Sequence, residues 1–150
     1  MRVLAIDPGT DKSAYIVWNS SIERVSQSGI VVNGSLSTQL RNAPEFCDFI
    51  ACEMIASYGM AVGKETFETC LWIGRFQEAA SAPFELVYRR DIKLHLCGTA
   101  RAKDANIRQA LIDKYGAPGT KKNPGPTHGI TSHLWSALAV ADYALSQQAK

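Results

Sequence analysis

The order of strand-like and helix-like segments constrains the fold of this 150-residue chain more than any other feature. Three short apolar segments rich in branched side chains, at residues 2–6, 14–18 and 29–32, follow one another near the N-terminus with turn-forming residues between them. This arrangement predicts an antiparallel meander of strands. Two later strand-like segments, 48–55 and 84–88, alternate with helical patterns. The whole order therefore predicts an α/β fold with a five-stranded mixed sheet.

The helical patterns fall between and after the later strands. They cover a short segment before Pro44, then residues 64–80, 89–97, 103–115 and 131–148. In the second of them, the spacing of Phe67, Leu71 and Phe76 predicts a buried apolar stripe. Residues 117–129 contain three glycines and three prolines and are expected to form an irregular loop near a binding surface.

Composition sets the class of protein but does not identify a partner. The chain is 46% hydrophobic, which suits a single domain over residues 1–150. Its net charge is only +2, so the total charge gives no argument for nucleic-acid binding. The sequence has no apolar run of membrane-spanning length and no signal-peptide pattern, so a soluble, cytoplasmic protein without a membrane partner is expected.

Two acidic residues stand at strand positions where an explanation is required. Asp7 ends the first strand within VLAIDPGT, and Glu53 lies inside the apolar run DFIACEMI. An ionised carboxylate is costly to bury unless a cation or hydrogen-bond donors compensate it. Asp7 could simply cap the turn that follows, and Glu53 could lie where its strand reaches solvent. If the first and fourth strands are neighbours, however, the two carboxylates converge and suit Mg²⁺ or Mn²⁺.

The ordered motifs resemble the RuvC-type Holliday-junction resolvases of the ribonuclease H-like superfamily. IDPGT ends the first strand, a glutamate ends the fourth, and RRDIKLHLCGTARAKDANIRQAL places Lys93 and Lys103 as the family places two lysines. The final segment SHLWSALAVADYAL resembles the family helix that carries the last catalytic residues. The resemblance extends over nearly the whole chain and implies a ribonuclease H-like fold with helices on both faces of the sheet. It points to a divergent member of phage or prophage type.

The resemblance implies a metal-dependent endonuclease that hydrolyses DNA phosphodiesters at four-way junctions. Its partners would be branched DNA and a second copy of the chain in a homodimer. In this chemistry two metal ions about 4 Å apart activate the attacking water and stabilise the leaving oxygen. Asp7 would be the shared metal ligand, Glu53 would hold the ion on the nucleophile side, and His133 would complete the catalytic and metal-binding set.

The last helix departs from the family pattern. The family places an acidic residue or histidine, then an aspartate three positions later, whereas this chain has His133 and then Ser136. Asp142 falls on the opposite side of the helix and is a poor replacement. Asp104 fits a role at the start of its own helix, although a position in the site stays open. With only two strong carboxylates and an imidazole, we expect the site to prefer Mn²⁺ over Mg²⁺.

Local clusters of positive charge are the candidate DNA-binding residues. The predicted set is Lys93, Arg101, Lys103, Arg108, Lys121 and Lys122, within a wider cluster that begins at Arg89 and Arg90. Such residues can line a phosphate-binding surface, or they can be an ordinary solvated helix face. The glycine-flanked segment 58–67 could stack on bases through its aromatic residues. Alternatively, and more in keeping with the helical pattern, Phe67 begins the buried stripe of its helix.

Two other functions fit parts of the sequence. A junction-binding protein of the same fold, with weak or lost cleavage, is suggested by Ser136 in place of the last acid. An ATP-binding fold of the actin and sugar-kinase type also begins with Asp-x-Gly-Thr, but it requires two such domains and a second phosphate loop. A chain of 150 residues leaves no room for those parts.

Overall fold

The computed structural model describes residues 1–150 and has five strands in one mixed sheet. The strands are β1 (Arg2–Asp7), β2 (Lys12–Asn19), β3 (Arg24–Val32), β4 (Phe49–Met54) and β5 (Phe84–Tyr88). The helices are α1 (Asn33–Leu40), α2 (Lys64–Ala79), α3 (Arg89–Cys97), α4 (Asp104–Tyr115) and α5 (Leu134–Gln148), with a short 3₁₀ turn at Ala43–Glu45. None of the helices has both the length and the apolar character needed to cross a membrane.

The sheet has the order β3-β2-β1-β4-β5, with β1 at its centre. β1, β2 and β3 pair in antiparallel fashion, as the predicted meander requires, whereas β4 and β5 run parallel to β1. The predicted α/β class and five-stranded mixed sheet are therefore confirmed. β1 and β4 are direct neighbours, which is the condition on which the convergence of Asp7 and Glu53 depended.

Helices cover both faces of the sheet, as the resemblance implied. Alternate residues of β1 point to opposite sides, because side chains alternate along a strand. Val3 and Ala5 belong to a core shared with α3, α4 and α5, whereas Leu4 and Ile6 belong to a core shared with α1 and α2. The central strand is thus buried on both sides, which explains why its sequence is almost continuously apolar.

Three predicted boundaries or faces were wrong. β3 begins at Arg24 rather than at residue 29, because it pairs with β2 along nearly its whole length despite its polar residues. α5 begins at Leu134 rather than at residue 131, since Ser132 adopts a positive φ of 50°, which a helix cannot accommodate. In α2, Phe67 and Leu71 are exposed by 63% and 57%, so they do not form its buried stripe.

A second helical stripe forms the buried face of α2 instead. It consists of Thr69, Ile73, Phe76 and Ala79. Thr69 tolerates burial because its hydroxyl donates a hydrogen bond of 2.9 Å to the carbonyl oxygen of Glu65. Phe76, which the predicted stripe also contained, is buried, so the predicted stripe was wrong at Phe67 and Leu71 but correct at Phe76.

Candidate active site

The candidate site lies where β1 and β4 end side by side. The strand register pairs Ile6 with Cys52, so Asp7 and Glu53 are the next neighbours along the two parallel strands. Ala5 and Ala51 lie two residues earlier on these strands and face α5, so by strand alternation Asp7 and Glu53 point to the same side of the sheet. Their side chains are 16% and 12% exposed, and they line one cleft. We call this the acidic cleft; its polar lining consists of Asp7, Glu53, Arg89, Asp104, His133 and Ser136.

A buried polar network holds the turn that follows Asp7. Ser13 Oγ donates to Asn33 Oδ1 at 2.6 Å and accepts from the Gly9 backbone N–H at 3.1 Å. Asn33 Nδ2 donates to the Gly9 carbonyl oxygen at 2.9 Å, which closes the network. A side chain at Gly9 would bring its Cβ within 2.3 Å of the Lys12 carbonyl oxygen. The turn therefore requires glycine, and it fixes the direction in which β1 presents Asp7.

His133, the residue immediately before α5, reaches the cleft. Its Nδ1 lies 3.0 Å from Asp7 Oδ2, where a ring N–H donates to the carboxylate. The His133 side chain is 73% exposed, and its Nε2 makes no hydrogen bond. The structure thus places the imidazole directly against the predicted metal ligand Asp7 and leaves its other nitrogen open to the solvent.

Glu53 has a cationic partner that the sequence did not assign to the site. Arg89 Nη1 lies 3.3 Å from Glu53 Oε1 and 3.5 Å from Oε2, and Nη2 of the same guanidinium donates to Asp104 Oδ1. Arg89 follows β5, and β5 pairs with β4 so that Val87 lies opposite Glu53. Arg89 follows Val87 by two residues and begins α3, so its position beside Glu53 depends on the register of β5 against β4, which is not readable from the sequence.

Burial raises the pKa values of both strand-end carboxyl groups. For Asp7, the cost of desolvation raises the pKa, and the neighbouring His133 offsets part of this effect. For Glu53, desolvation again dominates, the Arg89 guanidinium lowers the pKa in part, and the charge on Asp7 raises it. Both carboxylates are therefore short of compensating positive charge.

The donor set suits a divalent metal, although it is not arranged around one. No three side chains among the His, Cys, Asp and Glu residues converge as a ready-made metal site. Asp7 is paired with His133, and Glu53 with Arg89. Even so, two partly desolvated carboxylates with an adjacent imidazole match the oxygen and nitrogen ligands that Mg²⁺ and Mn²⁺ accept. The residues thus fit the metal chemically, and a cation between Asp7 and Glu53 would offset their desolvation.

The last helix brings Ser136, and not an acid, to the cleft. Asp142 lies away from it, buried at 2% exposure. There its carboxylate contacts His95 Nε2 at 2.9 Å, accepts from Lys114 Nζ at 2.7 Å, and also accepts from the hydroxyl of Tyr115. Asp142 is a structural residue that ties α5 to α3 and α4. Asp104 lines the cleft although it is the first residue of α4, so it belongs to the site as well as to its helix.

The predicted basic residues lie at different distances from the cleft. Arg108 stacks over the ring of Trp135 at 5.1 Å, and these two share a depression with His133 and Ser136. Lys93 shares a second depression with Arg89 and Tyr58. The remaining predicted residues are exposed and do not line the acidic cleft: Arg101, Lys103, Lys121 and Lys122. Lys12, which the sequence analysis did not single out, lies beside Asp7 and His133.

Comparison with solved structures identifies the fold. A structure of Thermus thermophilus RuvC superposes with a TM-score of 0.72 at 19% identity, over 99% of this chain and 97% of the other. T. thermophilus RuvC in complex with Holliday junction substrate superposes with a TM-score of 0.73 at 17% identity, over 99% and 94% of the two chains. These similarities confirm the predicted ribonuclease H-like fold of the RuvC type.

Two comparisons of the sequence give no match. No protein-family model matches the chain. No curated protein matches it either. The identity to the two RuvC structures is below one residue in five, which agrees with the divergence expected from Ser136.

Proposed function

We propose that the chain is a metal-dependent endonuclease that hydrolyses phosphodiester bonds at four-way DNA junctions. The observation that carries this proposal is the pair of partly buried carboxylates, Asp7 and Glu53, on adjacent strand ends in one cleft with His133. The pair occurs in a fold similar to that of RuvC, one structure of which holds Holliday junction substrate. Burial of two carboxylates is costly in a small domain, so a function that uses them is the simplest explanation.

Mg²⁺ or Mn²⁺ is the cofactor that this proposal requires. A divalent ion there would activate a water molecule for attack on phosphorus and stabilise the developing charge. Asp7 and Glu53 would hold it, and their strand ends keep both carboxylates in fixed positions. His133 would add a nitrogen donor through Nδ1, which lies 3.0 Å from Asp7 Oδ2, and an imidazole donor favours Mn²⁺ over Mg²⁺. Equal cleavage rates with the two metals would contradict this preference.

DNA would lie across α3, α4 and the loop before α5, next to the cleft. Lys93 and Arg108 border depressions next to it, and Arg101 and Lys103 lie in and just after the turn between α3 and α4. Lys121 and Lys122 extend the positive charge along the loop that precedes α5. Cationic side chains around a metal site bind phosphates without reading sequence, which suits a substrate recognised by its shape.

A homodimer is the second part of the proposal, because cutting paired strands of one junction requires two sites. The exposed face of α2 supports it: Phe67 and Leu71 lie one helical turn apart and are both largely exposed. Two such apolar side chains on one helix face are suited to self-association. We expect Leu71→Lys to convert a dimer into a monomer in light scattering, whereas Gln77→Lys, at an exposed position on another face of α2, should not. A wild-type monomer would contradict this part of the proposal.

The experiment that tests the activity compares binding and cutting of a synthetic four-way junction with Mn²⁺. The wild type should bind the junction and cut it symmetrically, whereas Asp7→Asn and Glu53→Gln should bind but not cut. Asp11→Asn, an exposed carboxylate close to Asp7 in sequence, is the matched control and should cut normally. Linear duplex of the same sequence should be cut much more slowly.

Ser136 favours one alternative, a junction-binding protein with weak or lost cleavage. Ser136 lines the cleft where the family has an acid, so the site has one carboxylate fewer than the family pattern. Junction binding without metal-dependent cutting would establish this alternative and overturn the nuclease proposal. Recovery of cutting in Ser136→Asp would then locate the defect at this position.

A further inference from the structure

The acidic cleft contains a built-in cation that neither the sequence analysis nor the proposed reaction uses. Arg89 begins α3, and its guanidinium lies between the carboxylates of Glu53 and Asp104. The Glu53 side chain is only 12% exposed and that of Arg89 31%, so solvent screens this pair less than an exposed one. The Glu53–Arg89 pair is therefore partly buried, whereas Asp104, whose side chain is 82% exposed, holds the other end of the guanidinium from the solvent side.

Asp104 is the residue that orients this cation. It lines the cleft, and its carboxylate accepts a hydrogen bond from Arg89 Nη2 while Nη1 of the same group faces Glu53. A guanidinium is planar and presents its donors in a fixed fork, so anchoring one end sets the direction of the other. Asp104 also lies in the first turn of α4, where a carboxylate favours the positive end of the helix dipole, but its side chain makes no cap and its hydrogen bond is with Arg89.

The charges around the cleft favour a single divalent ion. Asp7, Glu53 and Asp104 contribute three negative charges, and the always protonated Arg89 contributes one positive charge. The charged residues that line the cleft therefore sum to minus two, and Lys12, which lies beside Asp7 and His133, makes the surroundings less negative still, so one divalent ion is enough to balance them. A second ion would leave an excess of positive charge in the cleft. Ser136 cannot offset it, because a serine carries no negative charge, whereas the acid that the family has at this position does.

We infer that this chain binds one divalent ion, at Asp7 and Glu53. Arg89, positioned by Asp104, supplies the positive charge of the second of the two metal ions that the resemblance implies. This inference rests on the proposed nuclease function and gives Arg89 a role in it. The exposed part of the guanidinium would contact the phosphate that the single ion holds. Arg89 is then a catalytic residue and Asp104 a positioning residue.

The test counts the Mn²⁺ ions that the protein binds, by electron paramagnetic resonance of free Mn²⁺ at high protein concentration. The wild type should bind one ion, and Asp7→Asn should lose it. Arg89→Ala should bind a second ion, or bind the first at least about tenfold more tightly, because a nearby repelling charge is gone. The double variant Arg89→Ala with Asp104→Asn restores the net charge and should return to one ion with affinity near that of the wild type.

Two further variants separate charge from folding defects. Arg90→Ala removes the adjacent arginine, which is exposed and makes no ion pair, and should leave the ion count and affinity unchanged. Ser136→Asp adds a negative charge from the α5 side without touching Arg89, and should also allow a second ion. Thermal unfolding of each variant verifies that it is folded.

The outcomes distinguish this inference from the proposed function. The role of Arg89 would be overturned if the wild type bound two ions, or if Arg89→Ala had the same ion count and affinity as the wild type. In either case, junction cutting by the wild type would leave the nuclease proposal intact. Absence of both Mn²⁺ binding and junction cutting would overturn both. The expected one-ion pattern without any cutting would overturn the nuclease proposal alone.

Discussion

Asp7 shows that the acidic cleft is arranged at a cost to stability. Desolvation raises the pKa of the Asp7 carboxyl above its ordinary value, so the folded state holds a proton more tightly than the unfolded chain does. As the pH rises through the ordinary pKa toward the raised one, the unfolded state loses its proton first, and the protein loses stability. At neutral pH the ionised Asp7 therefore destabilises the metal-free protein.

Replacing Asp7 by asparagine should consequently stabilise the metal-free protein while abolishing metal binding. The expected result is a higher melting temperature of Asp7→Asn than of wild type at pH 7 in chelator, with the difference shrinking as the pH falls below the ordinary aspartate pKa. Asp11→Asn, at an exposed position, should melt like the wild type. A lower melting temperature of Asp7→Asn at pH 7 would show that its pairing with His133 outweighs desolvation.

Asp142 is a buried carboxylate of the opposite kind, because donors surround it. Its side chain is 1% exposed, and it contacts Lys114 at 2.7 Å and His95 at 2.9 Å. Burial, together with the hydrogen bond to Asp142, raises the pKa of Tyr115 well above its usual value, so the phenol stays protonated and donates.

Removing the Asp142 charge should destabilise the protein without touching the cleft. We expect Asp142→Asn to lower the free energy of unfolding by about 3 kcal/mol, because breaking a buried ion pair leaves its partners uncompensated. Denaturant titration measures this change, and Asp113→Asn, a carboxylate on the exposed side of α4, is the control. Mn²⁺ binding by folded Asp142→Asn should match the wild type; a loss of binding would assign Asp142 to the metal site.

At the scale of elements, the small side chains on the buried face of α5 determine how close this helix comes to the strand ends. Ala137, Val140 and Ala144 are completely buried in the core that α5 shares with the sheet. Small side chains on this face allow the helix to approach the strands, which places His133 within 3.0 Å of Asp7.

Enlarging this face should move His133 and Ser136 away from the cleft. Ala137→Leu adds volume to a packed interior and should cost about 1–3 kcal/mol of stability. It should also reduce junction cutting more than junction binding, because the basic residues on α3 and α4 stay in place. Ala149→Leu, at the exposed end of the chain, should change neither property. Equal losses of binding and cutting in Ala137→Leu would indicate general unfolding instead.

The elements also show which parts of the site could be predicted from the sequence. Asp7 and Glu53 were predictable because each interrupts an apolar strand, and the pairing of β1 with β4 then brings them together. Arg89 was assigned only to a general basic cluster, since its role depends on the register of β5 against β4. Asp104 had an adequate local explanation at the start of α4, which concealed its position in the cleft.

At the scale of the whole molecule, the net charge of +2 conceals a division between the two ends of the sheet. The acidic cleft lies at the end where β1, β4 and β5 finish, and Lys93 and Arg108 border depressions next to it. Arg24 lies at the other end, where β3 begins opposite Asn19 and β2 lies next to the start of β1. A DNA backbone approaching the cleft would therefore meet Lys93 and Arg108, whereas Arg24 would lie far from it.

The salt dependence of junction binding tests this division directly. Each phosphate contact that is lost should reduce the slope of log affinity against log salt concentration by about 0.9. We expect Lys103→Ala and Lys93→Ala each to weaken binding and to flatten the slope by about this amount, with little dependence on DNA sequence. Arg24→Ala removes the same charge from the distant end and should leave the slope unchanged. Equal slopes in all three variants would mean that the lysines form an ordinary solvated surface, and equal flattening by Arg24→Ala would mean that only the total charge matters.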